Sequence, residues 1–284
     1  MNYKKRATNI IQKKFKTNVL SISVPEPGQY NEVLIAHTDK DDYVIRFTTE
    51  DFHSLKAHAY ALGKWAKLGV PVPKILLQGK DYVVETKIPG NDWRKTKLNP
   101  KQTAAALEKL GLLLKKMHSV KTRRYGYIIK PGIGQYNSYK EFMEIYLKLR
   151  FDKIKKIRFV SSERLKKIST YLDKNMDLLN LKSPRLCHKD VNKGNIMIDN
   201  GKISGIIDAS DAISGDPAFD TGIIYQRFGD EMFKHFVKKY GKVDMRKVKY
   251  YAIINALRKI PLDHHKGNLE ACERHLQQIE RIIG

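Results

Sequence analysis

The sequence predicts an α+β protein in which a small antiparallel sheet precedes a larger, mainly helical region. Three observations carry this. Three short apolar runs, Leu20–Val24 (LSISV), Glu32–Ala36 (EVLIA) and Tyr43–Phe47 (YVIRF), are separated only by the polar loops PEPGQYN and HTDKDD, the mark of neighbouring antiparallel strands. Past residue 100 the apolar period changes, and Leu107, Leu110, Leu113, Leu114 and Met117 recur at the three- and four-residue spacing of an amphipathic helix. Deep in the helical part a single Asn200-Gly201 dipeptide stands between two apolar runs, NIMID and KISGIID. That is a strong hairpin signal, because a type I′ turn needs φ > 0 at both central residues.

The remaining elements follow from the same rules. Residues 1–19 read as a short basic helix leading to the first strand. Asp51–Leu68 reads as a helix; Gly69 takes its C-terminal cap, and the prolines of GVPVPKIL prevent continuation. Tyr82–Lys87 (YVVETK) is a further strand, followed by Ile88-Pro89-Gly90. Helices are predicted over Pro100–His118, Tyr139–Ile157 and Ser162–Leu181, the last two rich in Lys and Arg on one face. Gly215-Asp216-Pro217 reads as a helix start with Asp216 as N-cap and Pro217 in the first turn. Met245–Lys259 and Asn268–Ile283 close the chain, the latter with an apolar stripe of Leu269, Cys272, Leu276, Ile279 and Ile283.

Composition narrows the setting. A chain of 284 residues buries a sizeable core in one large domain or two lobes. No stretch approaches the ~18 apolar residues of a membrane span, and MNYKKRATNI lacks the apolar centre of a signal peptide. Cys187 and Cys272 sit in apolar patterns without CxxC or metal spacing, as buried thiols of a reducing cytoplasm do. The expectation is therefore a cytoplasmic protein with no membrane contact and no obligate protein partner. Fifty-four Lys plus Arg against 30 Asp plus Glu give a net charge of +24, which raises nucleic acid or another polyanion as a partner. The basic residues are dispersed and recur at helical spacing opposite apolar ones, which favours solvated faces over a selected surface.

Chemistry concentrates in Leu186–Asp220, LCHKDVNKGNIMIDNGKISGIIDASDAISGDPAFD. With Asn200-Gly201 as the turn, Asp199 pairs with Lys202 and, counting back, Asn195 pairs with Ile206. Asp208 then points to the same face as Asn195. Diagonal cross-strand neighbours lie roughly 7–8 Å apart, a gap that one cation bound to oxygen bridges, and Mg²⁺ takes carboxylate, amide and phosphate oxygens. The hairpin is thus expected to hold such an ion beside Asp190.

The set His188-x-Asp190, Asn195 five residues on, a strand–turn–strand and then Asp208 is the phosphoryl-transfer pattern of protein kinases. With Gly194 before Asn195 and GDPAFD close behind, and with no DFG after the hairpin, the segment resembles the aminoglycoside phosphotransferase family and its choline, homoserine and methylthioribose kinase relatives. That resemblance implies a bilobal protein-kinase-like fold, with an N-lobe at 1–87 and a helical C-lobe at 88–284 that carries the catalytic loop, the hairpin and the acceptor site. It implies Asp190 as catalytic base, Asn195 and Asp208 as Mg²⁺ ligands, and His188 and Asp220 in support, Asp220 by hydrogen-bonding the catalytic-loop backbone. It implies ATP as donor, with Gly28 in the loop over the phosphates, Arg46 where the family places its phosphate-pairing Lys, and backbone near Glu85 meeting adenine. Gly132–Phe142 (GIGQYNSYKEF), taken with YVIRF, resembles the hygromycin phosphotransferase branch.

Two positions depart from the pattern. His58 stands where relatives carry the Glu that pairs with the basic residue of the third strand, so Glu50 or Asp51 is expected to substitute, and His58→Glu to restore the pair. Lys189 stands where small-molecule kinases mostly carry Gly. Asp263, Glu270 and Glu273 lie where relatives that bind cationic aminoglycosides gather carboxylates, although charge at a helix N-terminus also explains them. The implied function is ATP-dependent phosphorylation of a small-molecule hydroxyl. The acceptor is an aminoglycoside, hygromycin-type included, or a choline-, homoserine- or sugar-type metabolite; a nucleotide-binding pseudoenzyme and a polyanion-binding protein are the alternatives.

Overall fold

The computed structural model describes residues 2–25, 31–48 and 52–284. Its elements begin with α1 (Tyr3–Phe15), β1 (Val19–Ser23), β2 (Asn31–Thr38), β3 (Asp42–Thr48), α2 (Phe52–Lys67), β4 (Ile75–Gln78), β5 (Tyr82–Thr86) and β6 (Asn91–Asp92). They continue with α3 (Pro100–Met117), β7 (Tyr125–Lys130), β8 (Ile133–Tyr136), α4 (Tyr139–Ile157), α5 (Ser162–Lys174), β9 (Arg185–Cys187), β10 (Ile196–Asp199) and β11 (Lys202–Ile206). The chain ends with β12 (Ile213–Gly215), α6 (Ala218–Tyr240), α7 (Met245–His265) and α8 (Leu269–Ile283). No helix among the described residues is long and apolar enough to cross a membrane.

The chain forms two compact units. The first comprises 1–98, 129–131 and 193–212; the second comprises 99–128, 132–192 and 213–284. The division expected at residue 87 therefore moves, and the hairpin expected in the C-lobe belongs to the first unit. The reason is pairing: β10 joins β6, with Met197 opposite Asp92 and Ile198 opposite Asn91. Gly90, at φ +89, allows this approach, since a Cβ there would collide with the Ile198 carbonyl.

In the first unit an antiparallel sheet runs in the order β1-β2-β3-β5-β4. Its alternating residues Leu34, Ala36, Ile45 and Phe47 are buried with Ala7 and Ile11 of α1 in one cluster. Arg6 clips the helix down through Asp81 at 2.6 Å, its guanidinium 4.9 Å from the Phe47 ring centroid. Burial of this apolar stripe holds a helix whose exposed face is otherwise basic.

In the second unit a four-stranded sheet of order β8-β7-β12-β9 accompanies helices α3–α8. A capping box opens α3: the Asn99 side chain accepts from the Gln102 N–H at 2.9 Å, and the Gln102 side chain accepts from the Asn99 N–H at 3.0 Å. Gly111 lets α6 lie close, because a Cβ there would meet the Phe236 carbonyl. Two predicted helix ends move. The helix starting at Ser162 stops at Lys174, where Asn175 bonds back to the Tyr171 carbonyl and a 3₁₀ turn follows over Met176–Leu179. The helix predicted to end at Lys259 continues through Pro261 to His265; packing against α8 overrides the loss of one backbone donor.

Candidate active site

The hairpin turns at Asn200 and Gly201 with φ of +48° and +73°. Asp199 pairs with Lys202, as expected, but a bulge between Met197 and Ile198 then shifts the register. Ile196, not Asn195, stands opposite Ile206, and Asn195 lies in a 3₁₀ turn over Lys193–Asn195. One extra residue in a strand has this effect on every position beyond it. The Asn195 carbonyl accepts from the Ile207 N–H at 2.9 Å, so the two backbones still meet one residue before Asp208. Asp208 lies beyond β11 with φ +61°, in the left-handed region.

Arg46 on β3 is buried and reaches Glu85 of β5 through Nε at 2.9 Å and Asp208 through Nη1 at 3.4 Å. Burial alone would lower the guanidinium pKa, but Asp208 and Glu85 more than offset it and raise it. Glu85, only 1% exposed, is opposed by burial, yet Arg46 and His58 hold its carboxyl below the usual range. His58 of α2 completes the network. Its Nε2 lies 2.7 Å from the second Glu85 oxygen, and its Nδ1 accepts from the Ala209 N–H at 3.1 Å. An Nδ1 that accepts fixes the proton on Nε2, which donates to Glu85.

This corrects the expectation at His58. The carboxylate partner of Arg46 comes from β5 rather than from α2, and His58 orients that carboxylate. Glu50 and Asp51, expected to substitute, lie outside the described residues, as does Gly28. Glu85 itself has ladder partners on both sides, Val44 and Ile75, and its side chain joins the Arg46 network.

In the second unit β9 leads into His188-Lys189-Asp190. Asp220, fully buried at the start of α6, accepts from the His188 N–H at 2.8 Å and from the Lys189 N–H at 2.7 Å. Its Oδ2 also lies 2.9 Å from His118 Nε2, whose Nδ1 is 2.9 Å from the Tyr240 hydroxyl. Burial acts against the Asp220 charge, but His118 and these amides keep its carboxyl below the usual range. Asp216 has a related part. The helix begins one residue later than predicted, and the Asp216 side chain accepts from the Ala218 N–H at 2.9 Å while bonding Lys247 at 2.7 Å.

Lys189 has φ +64°, which explains why glycine suits this position. The lysine is 2% exposed, with its ammonium 5.1 Å and 5.2 Å from the Tyr127 and Tyr146 ring centroids. Cation–π contact at this range offsets part of the backbone strain. Asp190 itself is partly exposed. The His188 ring accepts from its N–H at 3.3 Å, Arg258 of α7 bonds its Oδ1, and Lys259 lies 3.9 Å away. Burial would raise the Asp190 pKa, but Arg258 and Lys259 hold it well below the usual carboxylate range.

Sequence reasoning missed Arg258, Lys259 and His118. Their partners are distant along the chain: Arg258 is 68 residues from Asp190, and His118 is 102 from Asp220. Asn195 and Asp208 offer amide and carboxylate oxygens, a donor set that fits Mg²⁺. His118, Cys187 and Asp220 also cluster within 4.8 Å. Both His118 nitrogens are engaged there, and burial drives the Cys187 thiol far up, so this group lacks the thiolate a soft metal needs.

An anchored His-x-Asp loop, a hairpin with Asn and Asp at its base and a buried Arg–Glu pair on an antiparallel sheet define a phosphotransferase of the kinase-like class. The chain belongs to the phosphotransferase enzyme family, whose profile matches residues 21–251. No curated protein sequence matches it. Among solved structures it is similar to a thermostable mutant of aminoglycoside phosphotransferase APH(4)-Ia in its apo form, with TM-score 0.76 and 17% identity over 97% of this chain and 98% of that one. A ternary complex of another such mutant with AMP-PNP and hygromycin B gives TM-score 0.73 at 17% identity, covering 97% of each chain. The gentamicin–APH(2″)-IIa complex gives 0.68 at 17%, covering 99% of this chain and 97% of that one.

Proposed function

We propose that the protein transfers the γ-phosphoryl group of ATP, with Mg²⁺, to a hydroxyl of a small molecule. The observation that carries this reading is the Asp220 clamp: two successive amides, at His188 and Lys189, bind one buried carboxylate and so fix the loop that presents Asp190. Asp190 accepts a hydrogen bond from the acceptor hydroxyl, orients it and takes its proton late. A carboxylate held below its usual pKa is a weak base. That suits a loose transition state, in which positioning matters more than early deprotonation.

Asn195 and Asp208 would hold Mg²⁺, which when bound supplies charge to the phosphate oxygens. Arg46, kept in place by Glu85 and His58, aligns those phosphates, and its double hydrogen-bonding fork suits oxyanions. Adenine falls to the backbone after Thr86. Complexes of the similar structures with AMP-PNP and hygromycin B, and with gentamicin, support a nucleotide donor and a small-molecule alcohol as acceptor. The test is Mg-ATP turnover against a panel of hydroxyl compounds, with the parent protein and Asp190→Asn compared. Turnover that survives in Asp190→Asn would overturn the assignment.

A further inference from the structure

We propose that Ser23, His37 and Asp42 form a second, nucleophilic site on the sheet of the first unit, in which the Ser23 hydroxyl attacks small activated esters. None of the three belongs to the residues assigned to phosphoryl transfer, and the inference stands independently of that reading.

Three adjacent strands bring the residues together. In the β2–β3 ladder His37 stands opposite Asp42, and in the β1–β2 ladder Ser21 stands opposite His37. Ser23, two residues on, shares the face of Ser21 and reaches His37 diagonally. This face is turned away from α1, since the alternate residues Ala36 and Tyr43 are buried in the α1 cluster. His37 Nδ1 lies 2.9 Å from Asp42 Oδ1, and its Nε2 lies 2.8 Å from Ser23 Oγ. Lys87 Nζ donates to the second Asp42 oxygen at 2.7 Å.

These contacts set the sense of each hydrogen bond. Lys87 foremost, then His37, hold the Asp42 carboxyl below the usual range against the opposing effect of burial. An ionised carboxylate only accepts, so His37 Nδ1 carries the proton and Nε2 is left to accept from the Ser23 hydroxyl. Nucleophile, base and orienting carboxylate thus stand in the order that activates a serine. Ser23 is exposed, and His37 and Asp42 keep 34% and 32% of their side chains accessible. Among the described residues no strand pairs with the outer edge of β1, so every second N–H there points away from the sheet and can meet an oxyanion.

An accessible serine of this kind suits small esters with good leaving groups, such as aryl esters. Ser23 Oγ bonds the carbonyl carbon while its proton passes to His37 Nε2. The bond to the leaving oxygen breaks, and that oxygen takes the proton. Water then attacks acyl-Ser23 and gives its proton to Nε2, which returns it to Ser23 Oγ as the carboxylic acid leaves. Hydrogen bonds that only brace the three strands would leave Ser23 no more reactive than any exposed serine, and this separates the two views.

The test treats the full chain at mildly alkaline pH with a fluorophosphonate, which loses fluoride when a serine oxygen attacks phosphorus. Tryptic mass spectrometry locates the adduct. Ser23 should be labelled faster by about tenfold or more in the folded protein than in urea, and His37→Gln and Asp42→Asn should each slow labelling by about tenfold or more. With p-nitrophenyl acetate the parent should release p-nitrophenol beyond one equivalent, and Ser23→Ala should remove that release. Urea midpoints show that each variant folds, and the parent's own ratio of folded to unfolded labelling decides the question without any variant. No adduct on Ser23, a labelling rate unchanged by unfolding, labelling that survives His37→Gln, or release that stops at one equivalent or persists in Ser23→Ala would each overturn the proposal.

Discussion

Placing a carboxylate at His58 tests the buried network around Arg46. In His58→Glu the new group sits beside a Glu85 oxygen that His58 now meets at 2.7 Å, at a position with no solvent exposure. Two ionised carboxylates about 4 Å apart repel by about 4 kcal/mol at an effective dielectric constant of about 20. Keeping one of them protonated at pH 7 instead, against an ordinary glutamate pKa of about 4.3, costs about as much. His58→Gln is the proper reference, because an amide donates to Glu85 and accepts from Ala209 as the imidazole does. Urea denaturation at pH 7 should show His58→Glu about 3–4 kcal/mol less stable than His58→Gln. The sign with pH is fixed: a carboxyl whose folded pKa is raised carries no penalty below its unfolded pKa. The deficit therefore grows by about 1.4 kcal/mol per unit above about pH 4.3, so at pH 5 it should shrink to about 1 kcal/mol. Equal stability of the two variants at pH 7 would mean that Arg46 serves both carboxylates, and the reasoning here would be wrong.

Other outcomes follow from the same contacts. Asp190→Asn should lower kcat by about 10²–10⁴ with Mg-ATP affinity within about threefold, read by a coupled assay and by calorimetry. Asp208→Asn should weaken Mg-ATP binding more than Asn195→Ala, because it removes the formal charge beside Arg46 that would meet the proposed ion; both variants binding Mg-ATP like the parent would make the hairpin purely structural. Asp220→Asn should destabilise by roughly 2–4 kcal/mol at pH 7, since His118 and two amides lose a charged acceptor. The Asp220 carboxyl is depressed on folding, so its contribution is present above about pH 4 and is lost as pH falls through the folded pKa. The parent should accordingly lose its advantage over Asp220→Asn during acid unfolding, and a constant difference down to pH 2 would contradict this.

What could be read from the chain was what lay close along it. The His188–Asp190 spacing, the Asn200-Gly201 turn and the amphipathic periods of α3, α4 and α8 are local signals, and each element formed where its residues place it. The bulge at Ser204 moved Asn195 out of the pairing that simple counting gave, and its one local signal, Gly205 inside the strand, does not fix where the extra residue falls. The partners of buried charges were hidden for a different reason. Glu85 meets Arg46 across 39 residues because β5 lies beside β3 in the sheet, an order that no short motif encodes. Arg258 lies in a helix that also carries Arg246, Lys247, Lys249 and Lys259, where one more cation reads as a surface residue until its carboxylate partner is known.

The make-up of the first unit bears on how the chain is born. Its sheet is synthesised within the first 98 residues, yet the hairpin that supplies Asp208 and the Ala209 amide arrives only with residues 193–212. A nascent chain that leaves the ribosome at about 5–20 residues per second therefore spends several seconds with β6 unpaired, Arg46 holding one carboxylate of two, and His58 without the amide that fixes its tautomer. Closing that gap waits on a connection of about a hundred residues, whose loop-closure entropy slows the step. A fragment ending at Leu98 should consequently be aggregation-prone, whereas supplying 193–212 through circular permutation should let the sheet mature alone.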